Sequence, residues 1–119
     1  MAKNKYSCAL LIFVLFSQVV IAQKNRYAIY LTDKLDTQYA IERPSEFLSE
    51  RAIQRRIDQN IEITTQDFPI NENYVDSLIK YGADPYFRSK WFNVVLVEAT
   101  PEVVTILSAQ QYVSKYELA

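Results

Sequence analysis

One stretch, Arg88 to Glu117, constrains the fold more than any other. Phe92 to Ala99 is an almost unbroken run of β-forming apolar residues. It halts at Thr100-Pro101-Glu102, where a hydroxyl can cap a helix, proline suits the first helical position and an acid favours the dipole. Val103, Val104, Ile106 and Leu107 then supply an apolar face expected to meet a sheet, and Tyr112 to Glu117 returns to strand chemistry. Strand, helix and strand thus follow one another in thirty residues.

The order upstream is similar. Arg26 to Thr32 reads as a strand, and Asp33 to Thr37 as a polar turn. Pro44 suits a first helical position, so Ser45 to about Gln59 reads as a helix. Phe47, Leu48, Ala52, Ile53 and Ile57 form its apolar side, and Glu46, Glu50, Arg51, Arg55 and Arg56 a charged one. Asn60 to Pro69 reads as extended or looped, because a residue before proline avoids helical angles. A second helix spans about Asn71 to Tyr81, with Asn71 or Asn73 as its cap, Tyr74, Val75, Leu78 and Ile79 as its stripe and Gly82 as its stop. Asp84 to Ser89 and Phe92 to Ala99 read as strands joined near Lys90-Trp91.

With an insertion at about 35–69 set aside, the order is strand, helix, strand, strand, helix, strand. This predicts an α+β fold of ferredoxin-like, split βαβ type: a four-stranded antiparallel sheet with two helices on one face. The other face is then left for solvent or a partner.

The first 22 residues stand apart. Lys3 and Lys5 precede an eight-residue apolar run, Ala9 to Phe16, and Val20 and Ala22 satisfy the small-residue rule for cleavage before Gln23. The run is short for a membrane span, which needs about 20 apolar residues, and Ser17-Gln18 interrupts it. Residues 1–22 are therefore expected to be a cleaved signal peptide and 23–119 one domain, with no membrane association after cleavage. Cys8, the only cysteine, opens the apolar run, whereas a lipidated cysteine would close it. The exported part has no thiol and must fold by its core alone.

Several chemistries are excluded. The chain has no histidine, so neither a Ser-His-Asp nor a Cys-His arrangement can be assembled. Ser89 and Ser108 are read as turn or surface hydroxyls. Glu46 and Glu50 lack a third ligand, and Asp33 and Asp36 lack the glycine and terminal glutamate of a calcium loop, so no metal or cofactor is expected. The part after Ala22 has 11 basic and 14 acidic residues, a net charge of −3. That balance argues against nucleic acid, although Arg88, Lys90 and Trp91 could form a stacking platform. Trp91 is expected instead to pack a strand end. Arg55-Arg56 could be a dibasic processing site, and a solvated or salt-bridged helix face explains it better. Tyrosine is abundant, with eight copies outside the leader, which suits core, rim or interface roles.

Three segments together resemble a known family. Pro44-Ser-Glu-Phe-Leu-Ser-Glu-Arg-Ala-Ile-Gln-Arg-Arg56 is similar to the N-P-x-x-F-L-S-x-R-A-x-x-R-R segment near the start of secreted subtilisin-like serine proteases (peptidase family S8) of Bacteroidetes type. Asp67-Phe-Pro-Ile-Asn71 with Tyr74-Val75 resembles the D-L-P-V-N-x-x-Y-V that follows. Arg88-Ser-Lys-Trp-Phe-Asn93 and Ala99-Thr-Pro101 resemble its S-x-W-L-N and A-T-P elements. Arg43 stands where asparagine is usual and Phe92 where leucine is usual. The similarity covers nearly all of Arg26 to Glu117.

In that family the region is the propeptide, similar to ferredoxin-like inhibitor domains. The resemblance implies a secreted or periplasmic, cell-envelope folding chaperone and temporary inhibitor. Its partner would be a subtilisin-like catalytic domain, in cis or in trans. The open sheet face would dock on the protease, and a tail beginning at Tyr116, Glu117, Leu118 and Ala119 would lie in its cleft. The chain itself is expected not to be an enzyme. It reaches Ala119 where the family continues into a catalytic domain, so a truncated fragment of a serine endopeptidase is an alternative. A protein-interaction module of the cell envelope is another.

Overall fold

The computed structural model of the protein describes residues 22–119. The expected leader therefore lies outside the described residues apart from Ala22, which, like Gln23, is exposed.

Alternation of side chains along β1 (Asn25–Leu31) organises the core. Tyr27, Ile29 and Leu31 point to one face, as period-two geometry requires, and all are buried. β1 pairs antiparallel with β3 (Val94–Ala99) on one side and with β4 (Val113–Leu118) on the other. β2 (Asp84–Ser89) pairs antiparallel with β3, giving the order β2-β3-β1-β4. β3 thus separates β1 from β2, and β2 and β4 are the edges. Pro85 is tolerated on an edge strand, and a register shift between Pro85 and Phe87 bulges β2 around Tyr86.

Three α-helices accompany the sheet: α1 (Glu50–Asp58), α2 (Glu72–Lys80) and α3 (Pro101–Ser108). Val75 and Leu78 of α2, with Val104 and Leu107 of α3, close over Ile29, Val95 and Val97 in one core. The fold is α+β, as expected, with α2 and α3 on the same face. The capping chemistry also holds. The Thr100 hydroxyl accepts from the Val103 N–H at 3.4 Å, with Pro101 in the first turn. Asn71 caps α2 by accepting from the Asn73 N–H at 2.9 Å. Gly82 follows α2 with φ +103°, a conformation other residues enter only with strain.

Three local expectations are corrected. The helix expected from Ser45 to Gln59 is broken into a short 3₁₀ turn, Pro44–Glu46, and α1. The Ser49 hydroxyl accepts from the Ala52 N–H at 3.2 Å and restarts the helix there. Phe47 leaves the helical path to meet Phe68 edge-on at 4.9 Å, with Tyr39 beside both. Ile106, expected to face the sheet, is exposed, as is Ile79 of α2. At about 100° per residue, Ile106 sits on the far side of α3 from Val104. Phe92 and Asn93 belong to the β2–β3 turn, so β3 starts at Val94.

The insertion packs largely on itself. Leu48 and Phe68 are buried together with the aromatic cluster, whereas α1 buries no residue fully. The Asn71 amide nitrogen, which donates to the carbonyls of Leu35 (2.5 Å) and Asp36 (3.3 Å), ties the start of the insertion to α2.

Candidate docking surface

The sheet face opposite α2 and α3 carries none of the core helices. Register places Phe87, Leu96, Ala28 and Glu117 in one row across it, and Ser89, Val94, Tyr30 and Lys115 in the next. Its centre is apolar. Ala28 and Val94 are buried, Leu96 is half-buried, and Phe87 is 56% exposed. Charges frame the patch. At one end Arg26 bonds Glu98 at 3.1 Å and lies 5.3 Å over the Tyr86 ring, and Lys24 pairs with Asp84 nearby. Towards β4, Lys115 contacts Glu117 at 2.8 Å and lies 4.4 Å over the Tyr30 ring. The Lys115 bond holds the Glu117 carboxyl below its usual range, and the same bond raises Lys115.

The four C-terminal residues expected as a cleft-binding tail are not a loose end. Tyr116, Glu117 and Leu118 lie in β4, and the Ala119 N–H donates to the Arg26 carbonyl at 3.0 Å. Alternation puts Tyr116 and Leu118 on the side of the helices and Glu117 on the open face. Tyr116 meets Tyr27 edge-on at 6.2 Å, while Leu118 is 73% exposed. Among the described residues β4 pairs only with β1, so its outer edge presents backbone groups that no described strand pairs.

A cleft of about 750 Å³ opens at the other end of the sheet, between the insertion and the β2–β3 turn. Lys34, read from sequence as a turn residue, forms part of its floor and is only 7% exposed. Its ammonium donates to the carbonyls of Gln66 (2.6 Å) and Lys90 (2.5 Å). Burial pushes its pKa down, the Lys90 charge pushes it further, and Asp67 opposes them. Asp67 is itself committed. Arg56 donates to one of its oxygens at 2.5 Å, and the Thr64 N–H to the other at 3.0 Å. Arg55 stays exposed, so the dibasic pair divides into one solvated and one salt-bridged residue.

Asn93 shapes the turn. Its φ of +50° is a left-handed conformation that asparagine tolerates. Its amide nitrogen donates to the carbonyls of Leu31 (3.1 Å) and Asp33 (3.0 Å), and its side-chain oxygen is buried without a partner. Trp91 does not pack a strand end: it is 72% exposed, and Phe92 beside it is 75% exposed. Lys90 lies 5.0 Å over the indole. The roles of Lys34 and Asn93 are not written locally, because their partners are distant in the chain; the signals are a lysine within a run of turn residues and the asparagine that closes the Arg88–Asn93 motif.

Nearby, Asp33 accepts from the Tyr74 hydroxyl at 2.8 Å, a bond that lowers the Asp33 pKa. Burial and that carboxylate push the Tyr74 phenol up to about 12. Among the described residues no cluster of histidine, cysteine or acids could hold a metal ion. Among them, too, no helix is long and apolar enough to cross a membrane.

Compared with protein families, residues 26–119 match the Peptidase S8 propeptide domain of Bacteroidota. Comparisons with curated proteins and with solved structures gave no match.

Proposed function

The chain belongs to the Bacteroidota family of peptidase S8 propeptide domains, and on that premise we propose that it chaperones and temporarily inhibits a subtilisin-like catalytic domain. A propeptide domain is not itself catalytic, and its family ties it to an S8 protease. The proposed part is the mode of action. The open sheet face lies on the catalytic domain, and the β4 end at Tyr116, Glu117, Leu118 and Ala119 leads into the substrate cleft. Secretion follows from the leader, with cleavage between Ala22 and Gln23. The same docking serves a catalytic domain in the same polypeptide or a separate one.

The observation that carries this reading is the apolar centre of a sheet face that, among the described residues, no helix covers. Burying Phe87, Leu96 and Tyr30 against a partner would contribute about 25 cal/mol per Å² of apolar surface removed from water. The surrounding charges would fix orientation more than affinity. Extended backbone at the end of β4 suits a protease cleft, where main-chain hydrogen bonds hold a strand and pockets take alternate side chains. Tyr116 and Leu118 share one side and Glu117 the other, as such binding requires. A preformed surface of this kind also stabilises a half-folded catalytic domain by binding its native form in preference to its unfolded one.

The test uses the chain expressed in full and recovered from the exported fraction. It is mixed with an S8 catalytic domain from the same source, both native and diluted from denaturant. Expected results are inhibition in equimolar mixture and a higher refolded yield. Inhibition no better than that of an unrelated small domain would overturn the reading.

A further inference from the structure

The two edges of the sheet are not equally guarded. β2 opens with Asp84-Pro85 and bulges around Tyr86, and a proline and a bulge both obstruct the addition of a further strand. β4 contains no proline. Its own irregularity lies upstream of Lys115, where β1 steps from Tyr30 to Leu31 while β4 steps from Lys115 to Val113. From Lys115 to Leu118 the register is regular, and every one of these residues is exposed. The Ala119 N–H donates inward to the Arg26 carbonyl, so by alternation Glu117 and Lys115 also turn their backbone groups towards β1. Tyr116 and Leu118 turn theirs outward.

We propose that this edge pairs antiparallel with the same edge of a second copy of the chain, about a two-fold axis at Tyr116, joining two four-stranded sheets. Charge identifies the occupant. A strand that meets its own copy in this way must set each residue opposite one facing the same side, so few registers are open. Centred on Tyr116, Lys115 of each copy stands opposite Glu117 of the other. Centred on Lys115 or on Glu117, like charges oppose each other directly, which destabilises a sheet. In the Tyr116 register each Tyr116 N–H donates to the carbonyl of the other Tyr116. On the helix side the two Tyr116 rings, each 46% exposed, face each other, and the exposed Leu118 of one copy lies diagonal to Tyr116 of the other. So short an edge buries far less than the roughly 1,200 Å² of a standard interface, which sets a weak dimer with a dissociation constant on the order of 100 µM. The dimer stands on the edge alone. Its consequence rests on the docking reading above: the pairing covers Tyr116 to Leu118, so a chain held at high concentration would withhold the end that enters the protease cleft.

Sedimentation velocity of the full exported chain, from about 1 µM to about 1 mM, reads the association, and dimer is expected at the upper end. Lys115→Glu and Glu117→Lys each bring like charges opposite one another. Each is expected to weaken self-association roughly 30-fold, and by less at high salt. Mixed in equal amounts, the two variants are expected to recover a dimer of the parent's strength, because every acid at positions 115 and 117 then faces a lysine. Both side chains are exposed, so the variants keep the native circular dichroism. In the parent, the Tyr116 amide is expected to exchange more slowly as concentration rises. A parent that stays monomeric throughout, single variants that dimerise like the parent, or a mixture that stays monomeric would each overturn the pairing. Slowed Tyr116 exchange that appears only when an S8 catalytic domain is added would assign the edge to the protease and overturn the second copy. A chain that dimerises as described yet fails to inhibit would remove the docking reading and leave the dimer standing.

Discussion

The two faces of the sheet are built from the same strands and have opposite fates. On one, Tyr27, Ile29, Val95 and Val97 meet α2 and α3 and are almost wholly buried. On the other, Ala28 and Val94 are buried, but Tyr30 and Leu96 are only half-buried and Phe87 is exposed, and among the described residues no helix lies over them. A sheet with one wet face ordinarily alternates apolar and polar residues, and a continuous apolar run marks a strand covered on both sides. β1 and β3 carry the second pattern in a fold that supplies only one cover. The excess apolar surface is what the proposed docking would bury.

The largest expected contrast is in stability. Leu78→Ala empties a fully buried site and should lower unfolding free energy by about 3 kcal/mol. Leu96→Ala on the open face should lower it by less than about 1 kcal/mol. Equal losses in urea titrations would break the distinction between the faces. Binding should reverse the order: Leu96→Asp is expected to leave the isolated chain folded and to weaken inhibition of the catalytic domain roughly 100-fold.

Smaller effects sharpen the picture. Asn71→Ala removes the α2 cap and both bonds to the insertion, and should cost about 1–2 kcal/mol. Faster amide exchange should then appear in the insertion before it appears in the sheet. Lys115→Ala breaks an exposed pair and should change stability by no more than about 0.5 kcal/mol, because water and salt screen such contacts.

The smallest effect is one of pH, on the covered side. The Tyr74 phenol is raised from its ordinary 10.0 to about 12 in the folded chain, so its contribution is complete below pH 10 and fades as pH climbs towards 12. Asp33 runs the other way. Its lowered pKa adds stability above its ordinary 3.8, lost as pH falls through the folded value. Tyr74→Phe should flatten the alkaline limb and shrink the acid one, read as thermal midpoints across pH.

The insertion shows why some features could not be read from sequence. Pro44 and the apolar spacing after it do favour a helix, yet the chain breaks at Phe47 because an aromatic cluster with Tyr39 and Phe68 outweighs three residues of helical propensity. Arg56 has the same local chemistry as Arg55, and only the return of the chain past Asp67 partly buries one and leaves the other in water. The β4 end is a similar case. Tyr116 to Ala119 could have trailed freely, but β1 offers an unpaired edge that captures them.

What sequence by itself determined was local: the order of strands and helices, the cap at Thr100, a cap for α2 at Asn71 or Asn73, the stop at Gly82 and the surplus of apolar positions in β1 and β3. These depend on interactions within about four residues or on strict alternation, both written in the chain. Tertiary structure alone decided which apolar face would be covered, and it alone made a cleft of Lys34, Asn93 and the Trp91–Phe92 turn. The Lys34 ammonium meets carbonyls 32 and 56 residues away. No periodicity records contacts of that range, because they exist only once the chain has folded back on itself.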